Sequence, residues 1–117
     1  MDAASEIEVR LEEEGGHRVV HLQGELCLPN TGRVQRALME GLATGQETVL
    51  DGAGVTAIDL AGLQLLCSAH RTYRRHGANF DLRSVPQGLQ ETARAAGYRA
   101  CESICPFRED GICLWRY

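Results

Sequence analysis

One segment constrains the fold most, because a short apolar stretch, a glycine-rich break and a long amphipathic stretch follow one another directly. Residues 47–51 (ETVLD) predict a buried strand, and residues 52–54 (GAG) predict its end. Asp59 is a residue type that caps helix N-termini. Residues 60–76 then predict a helix, since apolar side chains recur every three or four positions. A strand followed by such a helix is typical of α/β folds.

The predicted helix has a clear C-terminal signal as well. Arg74 and Arg75 lie in its last turn, where positive charge favours the negative end of the helix dipole. Gly77 follows, which is the residue type that most often ends a helix. The spacing predicts one buried face, made of Leu60, Leu63, Leu66, Cys67, His70 and Tyr73.

The N-terminal part of the chain predicts a hairpin followed by a helix. Residues 7–11 alternate between apolar and charged side chains, and residues 17–23 have a β-branched centre, so each predicts a strand. Residues 12–16 (EEEGG) predict the turn between them, and Gly24 predicts the end of the second strand. A helix is expected around residues 34–42, capped by Asn30 or Thr31.

Residues 80–85 predict another strand, and Pro86 begins a third helix with Leu89, Ala93 and Ala96 on one face. The order β-β-α-β-α-β-α predicts an α/β fold: a mixed sheet of four to five strands, with an N-terminal hairpin and helices packed on it. Its β-α-β-α-β section should be parallel with right-handed crossovers. We expect one domain over residues 1–98, with residues 99–117 as a cysteine-containing tail of that same domain.

Composition excludes several classes of function. The net charge of −4 lacks the strongly basic balance of nucleic-acid-binding domains, so no nucleic-acid partner is expected. No apolar run approaches the roughly 18 residues of a membrane span, and the acidic N-terminus does not resemble a signal peptide. Five cysteines without a secretory signal favour the reducing cytoplasm. We therefore expect a cytoplasmic protein that does not insert into a membrane.

No catalytic constellation is evident in the sequence. It shows no Ser-His-Asp set, no phosphate-binding loop with lysine, and no third glycine after Gly52 and Gly54 to complete a dinucleotide motif. His21 is interpreted as an ordinary strand residue, and His70 as a packing residue beside Cys67. The chain is therefore not expected to be an enzyme.

Residues 49–63 (VLDGAGVTAIDLAGL) also resemble a known family. In the STAS domain, the module of bacterial anti-sigma-factor antagonists, a strand ends in Leu-Asp and is followed by Val-x-x-Ile-Asp-Ser-Ser-Gly-Leu. The resemblance extends over residues 7–98 and includes residues 24–26 (GEL), Gly77 and the stretch 89–97. It implies a STAS-like α/β fold and a non-catalytic, protein-binding role. The residues that match the central motif are Leu50, Asp51, Val55, Ile58, Asp59, Gly62 and Leu63.

The resemblance also implies a mechanism, and the sequence departs from it at one position. Such antagonists dock on a partner, often an anti-sigma factor that is also a serine kinase, and phosphorylation of the second Ser breaks the complex. A phosphate adds a charge of about −1.5 to −2 within the contact surface. Ala61 stands where that serine would be and Leu60 replaces the preceding one, so no phosphosite and no serine phosphoswitch are expected. The expected contact residues are Thr56, Ile58, Asp59, Leu60, Ala61, Gly62 and Leu63.

Other STAS proteins provide alternatives for the partner. Some bind the ATPase of a lipid-transporting ABC complex, and some belong to sensory or chemotaxis-like complexes. A contact at the helix end would also allow a homodimer. The resemblance does not choose among these partners.

The cysteines of the tail are a second candidate site. Cys101, Cys105 and Cys113 have the spacing C-x3-C-x7-C, whereas zinc and iron–sulfur sites generally need four ligands. Cys27, Cys67 or a second subunit could supply the fourth, which makes a metal or redox sensor the competing hypothesis. A reversible Cys105–Cys113 disulfide and simple apolar packing remain open as well. No cofactor is implied by the leading hypothesis.

Overall fold

The computed structural model describes residues 6–98, in which four strands and three helices follow one another in the predicted order. A single 3-10 turn, Leu28–Asn30, precedes the first helix. The elements are β1 (Glu8–Glu14), β2 (His17–Leu26), α1 (Thr31–Ala43), β3 (Thr48–Ile58), α2 (Leu60–Arg75), β4 (Phe80–Arg83) and α3 (Gln87–Ala95).

The four strands form one mixed sheet in the order β1-β2-β3-β4. β1 and β2 are antiparallel, because a tight turn at Gly15 and Gly16 joins them. β2, β3 and β4 are parallel, and a helix lies in each connection between them. This architecture confirms the predicted α/β fold with an N-terminal hairpin. The tail of residues 99–117, and its assignment to the same domain, lie outside the described residues.

The strands β2 and β3 run past the glycines that were predicted to end them. β2 continues through Gly24 to Leu26, and β3 continues through Gly54 to Ile58. The two strands pair along this whole stretch, with two irregularities in register. A Cβ atom at Gly54 would lie 2.5 Å from the carbonyl oxygen of Leu22. The predicted strand ends were wrong because these glycines allow irregular pairing with a neighbouring strand. The local sequence does not show which strand will be that neighbour.

The hairpin turn is also shorter than predicted. β1 extends to Glu14, so only Gly15 and Gly16 remain in the turn, and both have positive φ angles, of 55° and 85°. Glycine adopts such angles without steric cost. The turn predicted at residues 12–16 was therefore too long, because its first three residues belong to β1.

Asn30 links the residue before β1 to β2 instead of capping α1 with its side chain. It occupies the N-cap position, but its side chain makes no capping hydrogen bond. Its Oδ1 accepts the N–H of Ile7 at 3.2 Å, and its Nδ2 donates to the carbonyl of Glu25 at 2.8 Å. Thr31 is the first residue of α1, and its hydroxyl donates to the carbonyl of Leu28 at 3.0 Å. The side-chain cap predicted from either residue was wrong, because Asn30 is engaged by Ile7 and Glu25 and Thr31 by the preceding turn.

The hydrophobic core lies between the helices and one face of the sheet. Tyr73 of α2 is fully buried in it, and its hydroxyl donates to the carbonyl of Leu38 and lies 3.0 Å from Oγ1 of Thr48. His70 is also buried, in agreement with its interpretation as a packing residue. The remaining core side chains include Val20, Leu22, Val34, Leu50, Leu63, Leu66, Leu82 and Ala93.

The opposite face of the sheet carries a row of charged side chains. Successive side chains of a strand point to opposite faces, so His21, which lies between the core residues Val20 and Leu22, faces away from the helices. Strand pairing aligns one charged or polar residue from each of the four strands in a row across this face. The row contains Arg10, His21, Asp51 and Arg83.

Candidate functional site

Asp59 lies between the end of β3 and the first turn of α2, and its carboxylate connects two parts of the chain. Oδ1 accepts the N–H of Gly62 at 2.9 Å, which confirms the predicted N-cap of α2. Oδ2 accepts the N–H of Leu28 at 2.9 Å. One side chain therefore fixes the start of α2 against the loop that follows β2.

Gly62 allows the first turn of α2 to lie directly against the end of β2. A Cβ atom at this position would be 2.2 Å from the carbonyl oxygen of Leu26 and 2.8 Å from Cγ1 of Ile58. The next residue, Leu63, is only 1% exposed and belongs to the core. Gly62 and Leu63 thus pack the first turn of α2 against the rest of the domain.

Two leucines are exposed on either side of Asp59. Leu60 is 55% exposed and Leu28 is 67% exposed, although both are large apolar side chains. We call Leu28, Asp59, Leu60 and Ala61 the helix-start surface. Ala61 is half-buried in it. Among the other predicted contact residues, Thr56 is exposed and Ile58 is half-buried.

The exposure of Leu60 corrects the predicted buried face of α2. The prediction holds for Leu63, Leu66, His70 and Tyr73, which are buried. Leu60 differs because, at about 100° per residue, it lies roughly 120° around the helix from the centre of the buried residues. Steps of three residues fall short of a full turn, so a chain of such steps drifts off the buried face.

Asp59 is the acidic residue of the helix-start surface that faces the positive N-terminal end of α2. The first turn of α2 contains no acidic residue, and neither does the first turn of α1. The N-terminal end of a helix carries a partial positive charge, so Asp59 is well placed to stabilise it. The surface is therefore mainly apolar.

Cys27, next to this surface, is a free and half-buried thiol. Burial and the nearby charge of Asp59 raise the pKa of the Cys27 thiol above its ordinary value. The thiol is therefore protonated at neutral pH, and a protonated thiol is a weak nucleophile and a weak metal ligand. This environment is that of a packing residue.

The sequence did not single out Leu28 as part of the site. It lies next to Pro29, in a loop-forming stretch where an isolated leucine carries no periodic signal. Only its contact with Asp59, 31 positions away, places it beside Leu60. An apolar residue in a loop rich in turn formers is the one signal that could have indicated an exposed contact.

The predicted cysteine site, Cys101, Cys105 and Cys113, lies outside the described residues. Its suggested additional ligands, Cys27 and Cys67, are both half-buried. Within residues 6–98, three metal-binding side chains come together only at Glu12, Glu14 and His21, a group without cysteine. The same part of the chain contains no helix that is long and apolar enough to cross a membrane.

Comparison with known families identifies the domain. A family model described as Mlab, STAS domain matches residues 9–102. The chain belongs to the STAS domain family. This confirms the resemblance seen around Asp59, and it includes almost all of the described residues. No curated protein matches the chain.

Solved structures show that the STAS fold is shared along the chain. An anti-sigma factor antagonist from Mycobacterium paratuberculosis is 18% identical, with 100% of both chains covered and a TM-score of 0.73. The anti-sigma factor antagonist SpoIIAA in its unphosphorylated form is 14% identical, with a TM-score of 0.61 over 74% of this chain and 82% of that one. Both similarities confirm the predicted fold.

The same fold occurs within a much larger protein. The murine anion transporter Slc26a9 is 21% identical over 74% of this chain, with a TM-score of 0.65. The match covers only 15% of the transporter chain. Together, STAS family membership and the antagonist-like fold support a protein-interaction module.

Proposed function

We propose that this STAS domain is a non-catalytic cytoplasmic module that docks on a partner regulator through the helix-start surface. The exposure of Leu60 and Leu28 on either side of Asp59 is the observation that carries the proposal. The Asp59 carboxylate fixes the backbone that carries both leucines, since it accepts the N–H groups of Leu28 and Gly62. A backbone that is already ordered loses little conformational freedom on binding, which favours affinity.

The partner we propose is an anti-sigma factor of the serine-kinase type, bound without the usual phosphoswitch. The antagonist folds of the two bacterial matches support this partner class. Ala61 and Leu60 have no hydroxyl group, so neither can receive a phosphoryl group. Docking would then be constitutive, or controlled by something other than phosphorylation at these positions. An ABC-transporter ATPase, a sensory complex and a homodimer are the competing partners.

The test combines partner capture with a measured affinity. Wild-type protein and the variants Ala61→Glu, Leu60→Ser and Leu11→Ser are used to capture partners from a lysate of the source cells, and mass spectrometry identifies the partner class. The captured partner is then purified and titrated with each variant. Leu11→Ser is the matched control, because Leu11 is 46% exposed but lies on β1, outside the helix-start surface.

We expect Ala61→Glu and Leu60→Ser to weaken the affinity at least tenfold, and Leu11→Ser to leave it unchanged. Ala61→Glu places a carboxylate beside Asp59, as a phosphate would in other antagonists. Equal affinity of wild type and both variants would show that docking uses another surface. Capture of a transporter ATPase or a sensory protein by the same surface would support the docking site and overturn the proposed partner.

A further inference from the structure

Three metal-binding side chains meet on the charged face of the sheet. Glu12 and Glu14 are two residues apart on β1 and therefore point to the same face, while His21 is on β2. One ligand atom from each residue lies within 4.8 Å of the other two. The carboxyl side chains are 44% and 45% exposed and the imidazole is 19% exposed, so an ion in solution can reach all three.

A fourth residue, Asp51, places a carboxylate on the other side of the His21 imidazole. Nε2 of His21 lies 2.7 Å from Oε1 of Glu12, and Nδ1 lies 3.5 Å from Oδ2 of Asp51. Metal-binding histidines generally donate the second ring N–H to a carboxylate, which fixes the ring orientation. Asp51 therefore lies on the side of the ring where such a carboxylate is expected.

The backing carboxylate is itself held in place. Oδ2 of Asp51 accepts from Nε of Arg83 at 3.2 Å, and Oδ1 accepts the N–H of Ala53 at 2.9 Å. The side chain of Asp51 is only 12% exposed. The carboxylate beside His21 is thus held by contacts with β3 and β4.

The charges around the group favour a cation. Arg83 donates to both carboxylate oxygens of Glu14 at 3.2 Å. Each oxygen keeps a second lone pair for a metal. Arg10 lies 3.8 Å from Glu12. The three carboxylates of Glu12, Glu14 and Asp51 exceed these two guanidinium groups by one negative charge.

We propose that Glu12, Glu14 and His21 form a binding site for a divalent transition metal of the Zn²⁺ class. One imidazole nitrogen and two carboxylate oxygens match the ligands that Zn²⁺ accepts, with water completing the coordination. The neutral imidazole of His21 would bind the metal through the lone pair of Nε2, with its ring proton on Nδ1, on the side of Asp51. The bound ion would join β1 to β2. The site shares no residue with the helix-start surface or with the cysteines of the tail.

The test is a calorimetric titration of the full chain with Zn²⁺ under reducing conditions. His17→Gln is the matched control for His21→Gln, because His17 belongs to the same hairpin but pairs with Glu47 at 3.0 Å, outside the group. We expect His21→Gln and Glu12→Gln to abolish stoichiometric binding and His17→Gln to preserve it. Asp51→Asn should weaken binding by about 10- to 100-fold, as loss of an orienting group does. Circular dichroism verifies that each variant is folded.

A second arm separates this site from the cysteines of the tail. A chain in which Cys101, Cys105 and Cys113 are changed to Ser should bind Zn²⁺ with unchanged affinity. Co²⁺ bound to that chain should show no thiolate charge-transfer absorption. The proposal is overturned if the wild type does not bind Zn²⁺, if binding disappears with the three cysteines, or if folded His21→Gln binds as the wild type does.

Discussion

The carboxylate of Asp59 accepts the backbone N–H of Leu28 at 2.9 Å, although the two residues are 31 positions apart. The same carboxylate caps α2 through Gly62. The helix start and the loop after β2 therefore form one rigid unit. The positions of both exposed leucines, Leu28 and Leu60, depend on this one side chain.

Replacing Asp59 should destabilise the fold as well as the surface. Asp59→Ala removes the acceptor of two backbone N–H groups, and we expect the free energy of unfolding to fall by about 1–2 kcal/mol. Urea denaturation followed by circular dichroism measures this change. Asp59→Asn is the informative control, since its amide oxygen can still cap α2 while its NH₂ group cannot accept from Leu28. The free energy of unfolding of Asp59→Asn should lie between those of the wild type and Asp59→Ala. An Asp59→Ala variant as stable as the wild type would contradict the role assigned to Asp59.

Gly62 should not tolerate even the smallest side chain. A Cβ atom would lie 2.2 Å from the carbonyl oxygen of Leu26, so Gly62→Ala must displace backbone. We expect a loss of about 1–3 kcal/mol of stability or more. A Cβ atom at Gly88, in α3, would meet no neighbouring element within 4 Å, and Gly88→Ala should stabilise the protein by roughly 0.4–1 kcal/mol. The midpoint temperatures of thermal unfolding of the two variants should therefore shift in opposite directions. A shift in the same direction would refute the close approach of Gly62 to Leu26.

The buried hydroxyl of Tyr73 should make stability fall at alkaline pH. Burial raises the pKa of Tyr73 above its ordinary value of 10.0, because the charged form is poorly solvated in the core. The contribution of the neutral form is therefore fully present below pH 10.0 and is lost as the pH rises above it.

Tyr73→Phe tests this pH dependence. The variant should be less stable at neutral pH by about 1–3 kcal/mol, because Thr48 and the carbonyl of Leu38 lose their partner. Its stability should also decline less steeply above pH 10.0 than that of the wild type. Some decline should remain, since burial also raises the pKa of Tyr98. Parallel alkaline curves for the two proteins would contradict the prediction.

The hydrogen-bonded pair of Arg83 and Glu14 should contribute to the pH dependence of stability at acidic pH. Its hydrogen bonds lower the pKa of Glu14 below the ordinary value of 4.5, so this contribution is present above pH 4.5 and is lost as the pH falls further. We expect Arg83→Gln to reduce the acid-dependent loss of stability, measured by urea denaturation between neutral pH and about pH 3. The effect should be small, because both side chains are substantially exposed. An identical acid profile would show that this pair does not contribute.

The elements defined by local signals were predicted well. The helix α2 begins after Asp59 and ends before Gly77, as the cap and the glycine indicated, because both signals act on neighbouring residues. The strand ends at Gly24 and within residues 52–54 were predicted wrongly. Their continuation depends on the partner strand, and a glycine in a strand can mark irregular pairing instead of an end.

The sequence by itself determined the order of the elements, the STAS resemblance and the absence of a hydroxyl at Ala61, since these depend on residue types and spacings within a few positions. Only the tertiary structure decided which distant side chains meet. Leu28 reaches Asp59, and His21 reaches Glu12 and Asp51, through strand pairing and the return of the chain at α2. Such contacts follow from the register of paired strands, where a shift by one residue would turn each side chain to the other face.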